Sequence, residues 1–233
     1  MKINSFSFSI IQNRAAALIF RFAALFACGA GLVALTAAGG RINWMNLIYF
    51  TNLSNLACLI FYLHLIIKTI IDINKQGVCG VSSAPPFFRG SVMMMLTVTM
   101  LVYHFMLSGT GFVMTVNSDP KILTANYLLH YAAPILTLLD WLLFDIKKVF
   151  KRAYPLLWLT IPFCYTVFVF IRAETGGLIG GTGSRYPYYF LDADALGMSG
   201  VTAYAGLLAL AFLVLGYVFY ILDNFLTRLG EKK

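Results

Sequence analysis

Two short stretches of this chain place hydroxyl, amide and imidazole groups at helical spacing. The first is Tyr49-Phe-Thr-Asn-Leu-Ser-Asn55. Thr51 and Asn55 are four residues apart and share one helix face, with Ser54 beside them. The second contains Asn126, His130 and Pro134, again four apart. A threonine hydroxyl becomes a nucleophile when a base sits within hydrogen-bond reach, and His130 is the candidate base for Thr51. Asn55 is a candidate amide donor for a developing oxyanion. The same residue types also have a purely structural use, because Ser, Thr and Asn in apolar helices often bond only a neighbouring helix. His104, with Ser108 four residues on, is a candidate supporting residue. His64 reads as structural. Asp140 follows His130 by ten residues.

These residues lie in long apolar segments. The chain has 233 residues, 60% of them hydrophobic and 11% charged, whereas a soluble domain carries about 25% charged residues. The apolar residues gather in runs long enough to cross roughly 30 Å of hydrocarbon. The pattern predicts an all-α polytopic membrane protein: one domain over 1–233, with spans near 15–38, 46–71, 90–113, 122–144, 153–172 and 199–222. The first run is longer than a signal peptide's apolar stretch of about 7–15 residues and is read as a retained span. Turn-rich segments separate the spans, the longest running from Gly176 to Gly200. With the N-terminus inside, Lys and Arg divide 13 inside to 4 outside, which accounts for all 17. That bias predicts both termini in the cytoplasm. The second and fourth spans then both start at the outer face. Thr51 lies roughly 8 Å and His130 roughly 12 Å below the start of its span, at 1.5 Å per residue. Both belong to the outer half of the bundle.

The net charge of +8 is accounted for by this orientation, and no nucleic-acid module or basic stripe is present. The four cysteines form no CxxC pair and read as small buried hydrophobes. A His104–His130 pair is a thin basis for haem, and zinc would need three protein ligands. No metal or cofactor is expected. The connection Arg185-Tyr-Pro-Tyr-Tyr-Phe-Leu-Asp192 has two readings. It is an interfacial aromatic belt, or a lid whose Tyr186 and Tyr188 screen the site and whose Asp192, or Asp194 beyond it, orients His130. Glu174 has the same ambiguity.

Three motifs in order resemble one family over nearly the whole chain. They are Phe50-Thr-Asn-Leu-Ser-Asn55, Leu129-His-Tyr-Ala-Ala-Pro134 leading to Leu139-Asp-Trp141, and Tyr186-Pro-Tyr-Tyr-Phe-Leu-Asp192. The chain is similar to the androgen-induced gene 1 / FAR-17a proteins, in particular their bacterial Pr6Pr-type relatives. The resemblance implies a six-span intramembrane hydrolase. Its eukaryotic members cleave fatty acid esters of hydroxy fatty acids with a threonine that matches Thr51 and a histidine that matches His130. Tyr189 stands where the family's loop motif carries a proline. The expected function is therefore a threonine esterase of the bacterial plasma membrane, acting on a lipid ester that enters from the bilayer. The alternatives are a transporter that binds a solute at mid-depth and a non-catalytic lipid-binding protein. Against the transporter stand the lack of an internal repeat and the few charges within the spans.

Overall fold

The computed structural model describes residues 8–36, 44–180 and 182–230. Within them the chain is helical and forms no strand; its one isolated bridge joins Asn13 and Cys79. Six helices are long and apolar enough to cross a membrane. They are α1 (Arg14–Thr36), α2 (Phe50–Gln76), α3 (Pro86–Leu107), α4 (Pro120–Phe144), α5 (Tyr154–Thr175) and α6 (Ala193–Thr227). The protein is an integral, multi-pass membrane protein of the all-α class.

The start and stop positions follow local chemistry. Proline opens α3 at Pro86 and α4 at Pro120, because its missing N–H costs nothing in a first turn. The Asp119 carboxylate caps α4 by accepting from the Lys121 amide. The second span starts four residues later than expected, because Trp44–Ile48 winds as a separate 3-10 turn. The third starts earlier and ends at Leu107, and Gly111–Val116 forms its own short helix, capped by Thr110. The sixth begins at Ala193, but Gly197 has φ +66 and breaks the helix there, near the start expected from sequence. Of the expected first span, residues 37 and 38 lie outside the described residues.

Helix α1 packs on α2 and α4, and α3 packs on α4. Small and medium side chains fill this interior: Ala24, Cys28, Cys58, Leu65, Leu96 and Ala133. Gly31 of α1 leaves room for Leu129, since a Cβ there would come within 2.7 Å of that side chain. The first turn of α5 docks on α3 and α6. There the buried Trp158 indole fills a notch at Gly90, where a Cβ would fall 1.9 Å from the ring. Most of α5 and α6 faces outward, with Phe163, Leu207 and Leu210 all more than 60% exposed. Large exposed apolar side chains on a helix of this length meet lipid rather than water.

One end of the bundle, opposite Thr51, is closed by buried charges. Asp140 on α4 takes Arg21 Nε of α1 at 3.2 Å and Arg89 Nη2 of α3 at 2.6 Å. Asp145, just past α4, takes Arg89 Nε at 2.5 Å and Arg21 Nη2 at 3.5 Å. Thr69 of α2 accepts from Arg21, and the Tyr62 hydroxyl reaches Asp140. Arg21 and Arg89, counted in the sequence as orientation signals, are thus the two cations of a four-charge cluster that ties α1, α3 and α4 together. Removing one partner from such a cluster strands the others in a low-dielectric interior. Asp140→Ala is expected to destabilise the protein by about 3–5 kcal/mol, read as a lowered unfolding midpoint in micelles. An unchanged midpoint would show the cluster to be energetically idle.

Candidate functional site

At the other end, α2 and α4 bring Thr51 and His130 together. Thr51 Oγ1 and His130 Nε2 lie 3.1 Å apart, both buried. The polarity of that contact follows from the other ring nitrogen. His130 Nδ1 lies 3.0 Å from the Asn126 carbonyl oxygen. A carbonyl only accepts, so Nδ1 carries the proton and Nε2 presents its lone pair. Thr51 therefore donates its hydroxyl proton to Nε2. This is the arrangement in which a neutral imidazole acts as base toward a hydroxyl.

The backbone of α4 creates this geometry. Pro134 has no N–H, and its ring crowds the carbonyl of the residue four back, which is His130. The helix answers by widening into a π-turn over Leu128–Ala132, with the Ala133 amide donating to Leu128 O five residues back. Leu129 O then has neither an Ala133 amide nor a proline N–H to take. Asn55 of α2 supplies the partner, its Nδ2 donating to Leu129 O at 3.2 Å and to Thr51 O at 2.9 Å. Asn55 therefore pins the Thr51 backbone to the His130 turn. Both of its amide hydrogens are committed, which overturns its expected role as oxyanion donor.

A second π-turn, Tyr103–Leu107 in α3, lies alongside. It presents Tyr103, whose ring stacks on the His130 imidazole at 3.8 Å between centroids and 23° between planes. The Tyr103 hydroxyl accepts from Asn117 Nδ2 at 3.1 Å, and Asn117 Oδ1 accepts from Asn126 Nδ2 at 2.6 Å. Asn126 thus supports the site twice, with its carbonyl on the imidazole and its side chain in this chain of bonds. Tyr103 and Asn117 were not singled out from the sequence. The available signal was Pro134 four residues after His130, which disfavours a regular helix at the histidine.

The remaining expected residues separate. Ser54 is fully buried and donates to Phe50 O of its own helix. His104 is exposed on the outer side of its π-turn and bonds the Tyr131 hydroxyl at 3.1 Å; it does not join the cluster. Neither acid of the loop reaches His130. Asp192 accepts from Ser184 Oγ at 2.6 Å and from the Asp194 and Ala195 amides, capping the first turn of α6. Asp194 pairs with Arg185 at 2.7 Å, and Glu174 lies 3.6 Å from the same guanidinium. The expected orienting carboxylate is replaced by a backbone carbonyl.

The aromatic loop folds over Thr51. Tyr186 and Tyr188 are buried. The Tyr188 hydroxyl lies beside the Thr51 hydroxyl and the Phe50 and Thr51 amides, and burial pushes its phenol up to about 12. The protonated phenol can accept from those amides and donate to a further acceptor. Those two amides open α2; the next two, of Asn52 and Leu53, both donate to Tyr49 O. The Thr51 hydroxyl borders two cavities. One, of about 430 Å³, has a mixed lining, with His130, Asn52, Asn126 and Ser184 among Leu35, Leu107, Val113 and Pro187, and is the more polar of the two. The other, of about 500 Å³, is lined by apolar groups of α3, α5 and α6 including Val98, Leu159, Phe163, Leu208 and Phe212.

The fold and site define a polytopic membrane protein with a buried threonine–histidine pair beneath an aromatic cover. No protein-family model, curated protein or solved structure matches the chain. The hydrogen-bond pattern fixes one tautomer of His130. In protein labelled with ¹⁵N at histidine, the expected resonances for this residue are a protonated Nδ1 and an unprotonated Nε2. The reverse assignment would remove the basis for proton transfer from Thr51.

Proposed function

We propose that this protein is an intramembrane threonine esterase that cleaves long-chain lipid esters through an acyl-threonine intermediate. The observation that carries the reading is the 3.1 Å contact between Thr51 Oγ1 and the lone-pair nitrogen of His130, with the tautomer set by Asn126 O. The resemblance to the androgen-induced gene 1 / FAR-17a family, whose threonine and histidine match these two residues, supports it. Fatty acid esters of hydroxy fatty acids are among the candidate substrates. In this reading the protein sits in a bacterial plasma membrane with both termini cytoplasmic. The buried charge cluster then lies toward the cytoplasm and the Thr51–His130 pair in the opposite half.

The reaction follows from the positions of the groups. His130 Nε2 takes the Thr51 hydroxyl proton as Oγ1 bonds to the ester carbonyl carbon. The carbonyl electrons move onto oxygen, and the oxyanion lies against the first amides of α2, Phe50 and Thr51, where it competes with the Tyr188 hydroxyl as their acceptor or accepts from that hydroxyl. A helix N-terminus suits that charge, because its first amides point outward and the helix dipole is positive there. Collapse of the intermediate breaks the bond to the alcohol oxygen, which takes the proton from His130 Nε2. Water then gives a proton to His130 and its oxygen to the acyl carbon. Collapse expels Thr51 Oγ1, which regains the proton, and the acid leaves. His130 serves as base and acid in both halves. Tyr103 holds the ring in plane throughout.

Purified protein tests this directly. Thr51→Ala and His130→Ala are each expected to lower ester hydrolysis at least about 1,000-fold, the scale on which such constellations act. A lipophilic fluorophosphonate should label Thr51 and no other residue. Full activity in either variant removes the proposal. Tyr188→Phe keeps the ring and removes the donor; it is expected to lower kcat by about 10²–10³-fold with little change in KM, as for loss of one oxyanion donor.

A further inference from the structure

Thr51 stands at the junction of two cavities of unequal polarity, and His130 borders only the more polar of them. The polar and apolar cavities share Thr51, Leu107 and Tyr188, and His130 lines the polar one alone. If Thr51 attacks an ester, the two arms of that ester leave the carbonyl carbon in different directions. The group that protonates the departing alcohol oxygen must lie on the alcohol's side. We infer that the site takes esters in one direction: the acyl chain lies in the apolar cavity among α3, α5 and α6, and the alcohol arm lies in the polar cavity. The inference rests on the threonine esterase reading and adds to it a fixed substrate orientation and a narrower substrate class, a single long acyl chain on a short hydroxylated alcohol, which sets aside the fatty acid esters of hydroxy fatty acids, whose alcohol arm is itself a long chain.

The walls support this assignment independently of the proton transfer. The apolar cavity runs from Leu156 to Thr166 along α5, ten residues and so roughly 15 Å deep. At its Leu156 end the first turn of α5 docks on α3 and α6 beside Trp158. Its roof is the loop residues Tyr188, Phe190 and Leu191. Leu156 and Phe163 on its α5 wall are 54% and 68% exposed, so the cavity is continuous with the surface that faces lipid. A chain slides in sideways from the bilayer without crossing water. The more polar cavity instead presents Asn52, whose Oδ1 is buried with no hydrogen-bond partner among the described residues, along with Asn126, Thr182 and Ser184. An unpaired acceptor in a polar pocket favours a ligand hydroxyl, because leaving it unmet costs free energy. Each methylene placed there in place of the apolar cavity loses about fourfold in binding. After hydrolysis of the acyl-threonine, water arrives through the polar side, where His130 can take its proton. The acyl chain stays seated until that step.

An isomeric pair of esters tests the direction while holding size and membrane partitioning nearly constant. Ethylene glycol monodecanoate has a ten-carbon acyl chain and a hydroxylated two-carbon alcohol. Decyl glycolate has the reverse. Both are presented to the full-length protein in bilayer nanodiscs, and each rate is divided by the ester's own rate with hydroxide to remove intrinsic reactivity. The expected result is at least about a tenfold preference in kcat/KM for the decanoate, abolished in Thr51→Ala. Ala205→Phe, which narrows the apolar cavity from α6, should reduce that preference, with fluorophosphonate labelling of Thr51 reporting that the site is folded. Equal or faster Thr51-dependent hydrolysis of decyl glycolate overturns the orientation and leaves the esterase reading intact. Hydrolysis of neither ester above the Thr51→Ala background overturns both.

Discussion

A carbonyl that cannot find an amide within its own helix organises the working end of this bundle. Pro134 removes one donor from α4, the helix widens, and Leu129 O is left to be met from outside. Asn55 meets it, and in doing so ties the second turn of α2 to the π-turn of α4. The register between the two helices is thereby set at the depth of Thr51 and His130. An unpaired carbonyl in hydrocarbon costs several kcal/mol, so this tie is strongly enforced. The same widening turns the imidazole so that Nδ1 meets Asn126 O and Nε2 meets Thr51. A defect in regular helix geometry, placed by one proline, therefore produces both the helix packing and the Thr51–His130 contact.

The two ends of the molecule are stabilised in different ways. Opposite Thr51, two arginines and two aspartates are buried together and matched in charge, and they hold α1, α3 and α4 in one arrangement. Around Thr51 the interactions are neutral: amide to carbonyl, hydroxyl to imidazole, ring on ring. A neutral site in a low-dielectric setting strengthens every hydrogen bond aimed at a developing charge. An arginine or carboxylate next to His130 would compete with that charge. The ion cluster stays away from the site, separated from it by the length of the spans.

Much of this was legible in the sequence because it depends on short-range rules. Six apolar runs of spanning length define six helices, and four-residue spacing puts Thr51 with Asn55 and Asn126 with His130. What could not be read concerns which atoms of those residues are free. Asn55 has the chemistry of an oxyanion donor, yet its hydrogens are spent on two carbonyls, one of them orphaned by a π-turn. Tyr103 lies one residue from His104, and only the widened backbone of α3 decides that the tyrosine, not the histidine, faces His130. Asp192 has the chemistry of an orienting acid but is used to cap α6. Arg21, Arg89, Asp140 and Asp145 are spread over 125 positions, and their convergence depends on helix packing that no local pattern encodes.

The seating of Trp158 against Gly90 gives α5 a fulcrum. The first turn of the helix rests on α3 and α6; beyond it the helix borders an apolar space. Thr166 lies eight residues beyond Trp158, a lever arm of roughly 12 Å. A tilt of about 10° about that pivot moves its far end by roughly 2 Å, comparable to half the width of a hydrocarbon chain. The width of the apolar space beside Thr51 is thus coupled to the seating of one indole on one glycine, at a point outside that space.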